Sequence, residues 1–100
     1  MYALLWFFNV KFPEYSSHEF WVSGESYAGI YVPFLAWHID KYNEQTVEGG
    51  FKFNMTGFIV GNGVTNWKYD GTPAYIEMGF WHGLYSIDLY DKYNQWGCPA

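Results

Sequence analysis

Cysteine is nearly absent: the chain carries one, Cys98, close to its end. It closes no bridge of its own, and stands either as a free thiol or as half of a disulfide to a cysteine elsewhere. Charge is sparse as well, 15% of residues against about 25% in an average soluble domain. Five bases face ten acids, a net charge of −5. The bases form no cluster, so neither nucleic acid nor anionic membrane is expected as a partner. No apolar run is longer than the one from Met1 to Phe8, and a membrane-spanning helix needs about 20 residues. The chain opens with neither a basic start nor a small-residue cleavage site; if the mature protein is secreted, its targeting segment lies upstream of Met1. There is no internal repeat and no low-complexity tract. No His/Cys/Asp/Glu spacing suits a metal, and neither metal nor cofactor is expected.

What the chain does hold is apolar and aromatic bulk. Half of its 100 residues are hydrophobic and a quarter are aromatic. That is too apolar for disorder. The length suits one small domain or a piece of a larger one. So many aromatics on so short a chain imply that much of its surface faces protein beyond these residues.

Leu4, Leu5, Phe8 and Phe12 recur at helical spacing over residues 2–12. Pro13 ends that helix. After the loop "SSHE", the run "EFWVS" reads as a short buried strand closed by Gly24. A helix is expected from Tyr27 to about Asn43, with Leu35, Ile39 and Tyr42 on one face and Tyr31 and His38 alongside. Pro33 inside it should bend it or delay its regular part. "NEQTVEGG" is a polar loop. A second strand is expected around Gly57 to Val60, where "FIV" predicts burial on both faces, as in a parallel sheet. "GNG" is a turn. It lacks the residues of a phosphate-binding loop. Two helical pieces follow, Ala74 to Trp81 and Ile87 to Trp96, broken by "HGLYS". Strand, tight turn, helix, loop and strand make one βαβ unit. Two strands alone leave unpaired edges, so the pattern implies further strands on both sides.

The stretch "SGESYAG", Ser23 to Gly29, places a serine between strand and helix. A serine hydroxyl is a weak nucleophile until a base takes its proton. On such a corner its oxygen stands above the sheet. The helix N-terminus beside it offers backbone N–H groups and partial positive charge to a developing oxyanion. The corner is tight, so the residues two before and two after Ser26 must be small; they are Gly24 and Ala28, followed by Gly29. The pattern differs from G-x-S-x-G in its fifth residue. The plainer reading is a serine that caps a helix.

"GESYAGIYVPFLA" resembles the nucleophile segment of the serine carboxypeptidase family, which includes lysosomal and vacuolar carboxypeptidases. "FFNVKFPEY", "MTGFIVGNGVTNW" and "HGLYSIDLYDKYNQWGC" resemble further family segments, in order, over nearly the whole chain. The resemblance implies an α/β-hydrolase fold. Residues 1–66 would form a partial core with the nucleophile elbow, and residues 67–100 the start of a helical insertion. It implies Ser26 as nucleophile and the backbone N–H of Tyr27 as one oxyanion donor. It places Glu25 in the pocket for the substrate's C-terminal carboxylate. Like charges repel, so that role requires Glu25 to carry or share a proton and donate a hydrogen bond. The alternative for Glu25 is an acid favoured by the helix dipole. The family order implies an Asp and a His downstream of Ala100 and a glycine-rich oxyanion loop upstream of Met1. His18, His38 and His82 are poor substitutes. His18 precedes the strand. His38 lies about 18 Å along the helix at 1.5 Å per residue. His82 sits in a helix-ending "HGL".

The expected function is a serine-type carboxypeptidase acting on the C-termini of peptides and proteins, with this chain alone inactive. A carboxypeptidase-like acyltransferase and a truncated, non-catalytic segment are the alternatives. Cys98 would be a half-cystine with its partner outside the chain. The sequon Asn54-Met55-Thr56 marks a glycosylation site, and the location would be lysosomal, vacuolar or secreted.

Overall fold

The computed structural model describes residues 1–97; Cys98 lies outside them. Two compact units divide the chain, one from Met1 to Gly63 and a second beginning at Val64.

The first unit opens with α1 (Tyr2–Trp6), which widens into a π-helical turn over Phe7–Lys11. The N–H of Phe12 donates to the carbonyl of Phe7 at 2.8 Å, five residues back. Phe12 then leaves the helix at φ −139°, and Pro13–Tyr15 form one 3-10 turn. Strand β1 (Phe20–Glu25), helix α2 (Ala28–Gln45) and strand β2 (Met55–Gly61) follow. The two strands pair in parallel, and a parallel pair needs a long crossover, here α2. Phe20 faces Met55. One residue is then skipped on β2, and the ladder runs from Trp21 beside Gly57 to Glu25 beside Gly61. β1 therefore runs through Gly24, the residue expected to close it, to Glu25, and β2 starts two residues earlier than expected.

Burial alternates along β1: Phe20, Val22 and Gly24 are the better covered residues, and Trp21, Ser23 and Glu25 are exposed. Phe8, Ile39 and Phe53 form the core, with Leu4, Leu5, Phe20, Val22, Leu35, Tyr42 and Phe51 packed around them. Ile39 is fully buried. Phe8 meets the rings of Phe20 at 5.0 Å and Phe53 at 5.9 Å. The Phe8–Phe53 pair is edge-to-face, a packing that adds to plain area burial.

Three expectations are corrected. The buried face of α2 includes Val32 and Ala36 beside Ile39, whereas Tyr31 points outward against Tyr27, 4.8 Å between rings. Pro33 neither delays nor interrupts the helix. It is the sixth residue, where the missing N–H costs one bond near the start rather than mid-helix. "FIV" is not buried on both faces: Phe58 is 50% and Ile59 57% exposed. Faces of a parallel sheet are covered by helices, and among the described residues the helix packed on both strands is α2.

The second unit holds α3 (Trp67–Asp70), α4 (Thr72–Trp81) and α5 (Ile87–Trp96). Asn66 caps α3 through its side-chain oxygen, which accepts from the Lys68 N–H at 2.9 Å. Pro73 sits in the first turn of α4, where its fixed φ suits a helix start. Phe80 stacks on Tyr90 at 4.2 Å, and the Tyr90 hydroxyl donates to Glu77. α5 ends in the left-handed Gly97, φ 58°.

Candidate active site

β1 stops at Glu25 and α2 starts at Ala28, which leaves Ser26 and Tyr27 to make the whole turn. Ser26 lies at φ 61°, in the left-handed region that costs a non-glycine residue about 1–2 kcal/mol. Tyr27 is already helical at φ −64° and ψ −10°. Two backbone hydrogen bonds hold the corner. The N–H of Ser26 donates to the carbonyl of Gly61 at 3.0 Å, extending the ladder one step past β1, and the N–H of Gly29 donates to the carbonyl of Ser26 at 3.1 Å.

The chain can turn this sharply because Gly24 is bare. A Cβ there would lie 2.4 Å from the Ala28 Cβ and 3.2 Å from Val32 Cγ2. A side chain at Gly24 would thus collide with Ala28, the residue two past the serine. Ala28 and Gly29 are buried, while Ser26 and Glu25 are exposed at the carboxyl end of the parallel strands. That end of an open α/β sheet is where ligands bind. Glu25 points away from α2, on the Gly61 side, with its Cγ 3.9 Å from where a Gly61 Cβ would stand.

The histidines fall elsewhere. His18 precedes β1, at the end opposite Ser26, with its ring 5.3 Å from Tyr15. His38 lies between the rings of Phe34 at 4.5 Å and Trp37 at 4.9 Å. His82 contacts the Met78 carbonyl through Nδ1 at 2.8 Å, in the second unit. Among the described residues no group of His, Cys, Asp and Glu could hold a metal ion, and no helix is long and apolar enough to cross a membrane. Asn54 is exposed and its Nδ2 donates to the Ser17 carbonyl at 3.0 Å.

Sequence reasoning missed Asn62. It has φ 44° and is, with Ser26, one of two non-glycine residues at positive φ among those described. The signal was present in "GNG", since asparagine tolerates the left-handed region better than other non-glycine residues.

The family model of the serine carboxypeptidases matches residues 1–100. Serine carboxypeptidase-like 20 of Arabidopsis thaliana is 41% identical over 91 residues, 91% of this chain and 17% of that protein. Serine carboxypeptidase 1 of Hordeum vulgare is 38% identical over 93 residues, again 91% and 17%. Serine carboxypeptidase ctsa-4.1 of Caenorhabditis elegans is 38% identical over 92 residues, 90% of this chain and 18% of that protein. The chain therefore spans less than a fifth of the length of these relatives. Its strand, left-handed serine, helix and parallel strand are those of an α/β-hydrolase elbow, and the chain belongs to the serine carboxypeptidase family.

Proposed function

We propose that this chain is the nucleophile-bearing segment of a serine carboxypeptidase, with Ser26 as the nucleophile. The observation that carries the reading is the left-handed Ser26 at the carboxyl end of β1, directly before α2. Strain of this kind collects at functional sites. The Ser26 Oγ attacks the carbonyl carbon of the substrate's last peptide bond while a base takes its proton. The Tyr27 N–H stabilises the resulting oxyanion. The proton passes to the leaving amine, the C-terminal residue departs, and water cleaves the acyl-enzyme. Glu25, exposed beside the serine, recognises the substrate carboxylate.

No described histidine contacts Ser26, which supports a base and its orienting acid drawn from sequence beyond this chain. The half-exposed Trp21, Trp37, Phe58 and Ile59 support packing against further parts of the same domain. A lysosomal, vacuolar or secreted location, a glycan on Asn54 and a disulfide at Cys98 belong to the same proposal.

The test is active-site labelling of the full-length protein with a fluorophosphonate, followed by peptide mass spectrometry. The label is expected on Ser26, and Ser26→Ala should lower kcat about 10⁶-fold. A label on another serine in an enzyme that hydrolyses peptides overturns the assignment. Residues 1–100 alone should show no turnover on a blocked dipeptide.

A further inference from the structure

We propose that the turn Gly61–Asn62–Gly63 is the element that holds Ser26 in its reactive conformation, with Asn62 and Gly63 as positioning residues for acylation. The inference rests on the reading of Ser26 as nucleophile and goes beyond it. The two non-glycine residues at positive φ among those described are Ser26 and Asn62. They stand at the ends of neighbouring strands, and the Ser26 N–H donates to the carbonyl of the peptide group that joins Gly61 to Asn62.

Two hydrogen bonds, one close approach and the turn itself close a ring around the serine. The Ser26 N–H donates to the Gly61 carbonyl at 3.0 Å. Gly61 leads through Asn62 to Gly63. A Cβ on Gly63 would lie 3.1 Å from the Gly29 Cα and 2.5 Å from Val60 Cγ1, so the turn sits back to back with the first turn of α2. The Gly29 N–H returns to the Ser26 carbonyl at 3.1 Å. The peptide groups on both sides of the Ser26 Cα are thereby pinned. Pinning both fixes φ and ψ, which is what a left-handed residue needs if it is not to relax. The turn can do this only in its own narrow form, with Asn62 at φ 44° and no side chain on Gly63.

The experiment uses the full-length enzyme and reads the second-order rate of inactivation by a fluorophosphonate, with kcat and KM on a blocked dipeptide. Rates are corrected for the folded fraction. Gly63→Ala pushes the turn off Gly29 and should slow acylation at least about tenfold, with KM within about twofold of wild type. If Gly63→Ala does not fold, Asn62→Ala carries the test. It adds no atoms but suits φ 44° less well, and a loss of about three- to fivefold is expected. Asn62→Gly should recover most of that loss, since the backbone and not the amide does the holding. The control is Gly49→Ala. Gly49 also has positive φ, 81°, but nothing lies within 4 Å of its Cβ position. It should lower the melting temperature and leave the acylation rate alone. Wild-type rates in Gly63→Ala, or in Asn62→Ala if only that variant folds, overturn the proposal, as does an Asn62→Gly as slow as Asn62→Ala. These outcomes leave the function standing if the label still sits on Ser26. A label elsewhere in the wild type removes the functional reading itself.

Discussion

Asn43 offers the cleanest measure of what keeps β2 in register. Its Nδ2 donates to the Phe53 carbonyl at 2.8 Å, and its Oδ1 accepts from the Phe53 N–H at 2.8 Å. One amide thus satisfies both backbone groups of a residue whose ring lies in the core, 4% exposed. Asn43→Leu keeps the bulk and removes both bonds. Each stranded backbone group costs about 1–3 kcal/mol, and these bonds are only part-buried, so water can reach them and the low end applies. The expected loss is about 2–3 kcal/mol. Asn43→Asp refines the test. Protonated, the carboxyl repeats both bonds; ionised, it turns a bare oxygen towards the Phe53 carbonyl. Its folded pKa is therefore raised above the unfolded value of about 3.9. The stability it contributes is fully present below that unfolded value and is lost as pH rises through the raised folded one. Urea denaturation followed by tryptophan fluorescence from pH 4 to 7 reads both effects. A loss under about 0.5 kcal/mol in Asn43→Leu, or a deficit in Asn43→Asp that does not grow with pH, refutes this reasoning.

Ile39→Ala, at the one fully buried large side chain among the described residues, should cost about 2–5 kcal/mol in the same denaturation assay. Gly24→Ala must move its Cβ about 1 Å from that of Ala28 to reach an ordinary contact; labelling of Ser26 should slow about 10²-fold, and an unchanged rate would show that the corner tolerates a side chain. Glu25→Gln retains a hydrogen-bond donor where Glu25→Ala does not, so Gln should keep more kcat/KM on peptide acids, by about tenfold or more, while peptide amides should hardly distinguish the two. Asp70 Oδ2 accepts from the N–H groups of Asn66 and Thr65 and from the Thr65 hydroxyl, which hold its carboxyl below its ordinary value of 3.8. That contribution is present above pH 3.8 and is lost as pH falls through the depressed value; amide NMR shifts of Thr65 and Asn66 should report the step, and Asp70→Asn should abolish it.

The βαβ unit and its corner were legible because each local signal agreed with the next: an apolar run, a small-residue turn, then a helix-period stretch. α5 falls where its pattern predicts, and α4 begins two residues before the expected Ala74, with Thr72 and Pro73 in its first turn. The π turn over Phe7–Lys11 was not legible, since apolar residues spaced by three and four suit an α-helix equally well. α3 is a single turn held by Asn66 and Asp70, too short to carry a hydrophobic period. The exposure of Phe58 and Ile59 follows from tertiary context, which a strand's own residues do not encode. Of the corner, the small residues Gly24 and Ala28 flanking Ser26 fit the spacing of a tight turn. The bond from the Ser26 N–H to the Gly61 carbonyl was not legible, because it depends on register between strands joined by a whole helix.

That register has a consequence in time. The carbonyl that anchors the serine belongs to Gly61, 35 residues further along the chain. At about 5–20 residues per second on the ribosome, Gly61 is added roughly 2–7 s after Ser26, and later still it clears the exit tunnel. During that interval the peptide around Ser26 has no partner for its N–H and relaxes to ordinary backbone. The left-handed turn at Ser26 thus awaits the second strand, made and docked. Limited proteolysis of ribosome-stalled chains would detect the change: cleavage within Gly24–Gly29 should be frequent when Gly61 is still in the tunnel and suppressed once Gly63 has emerged.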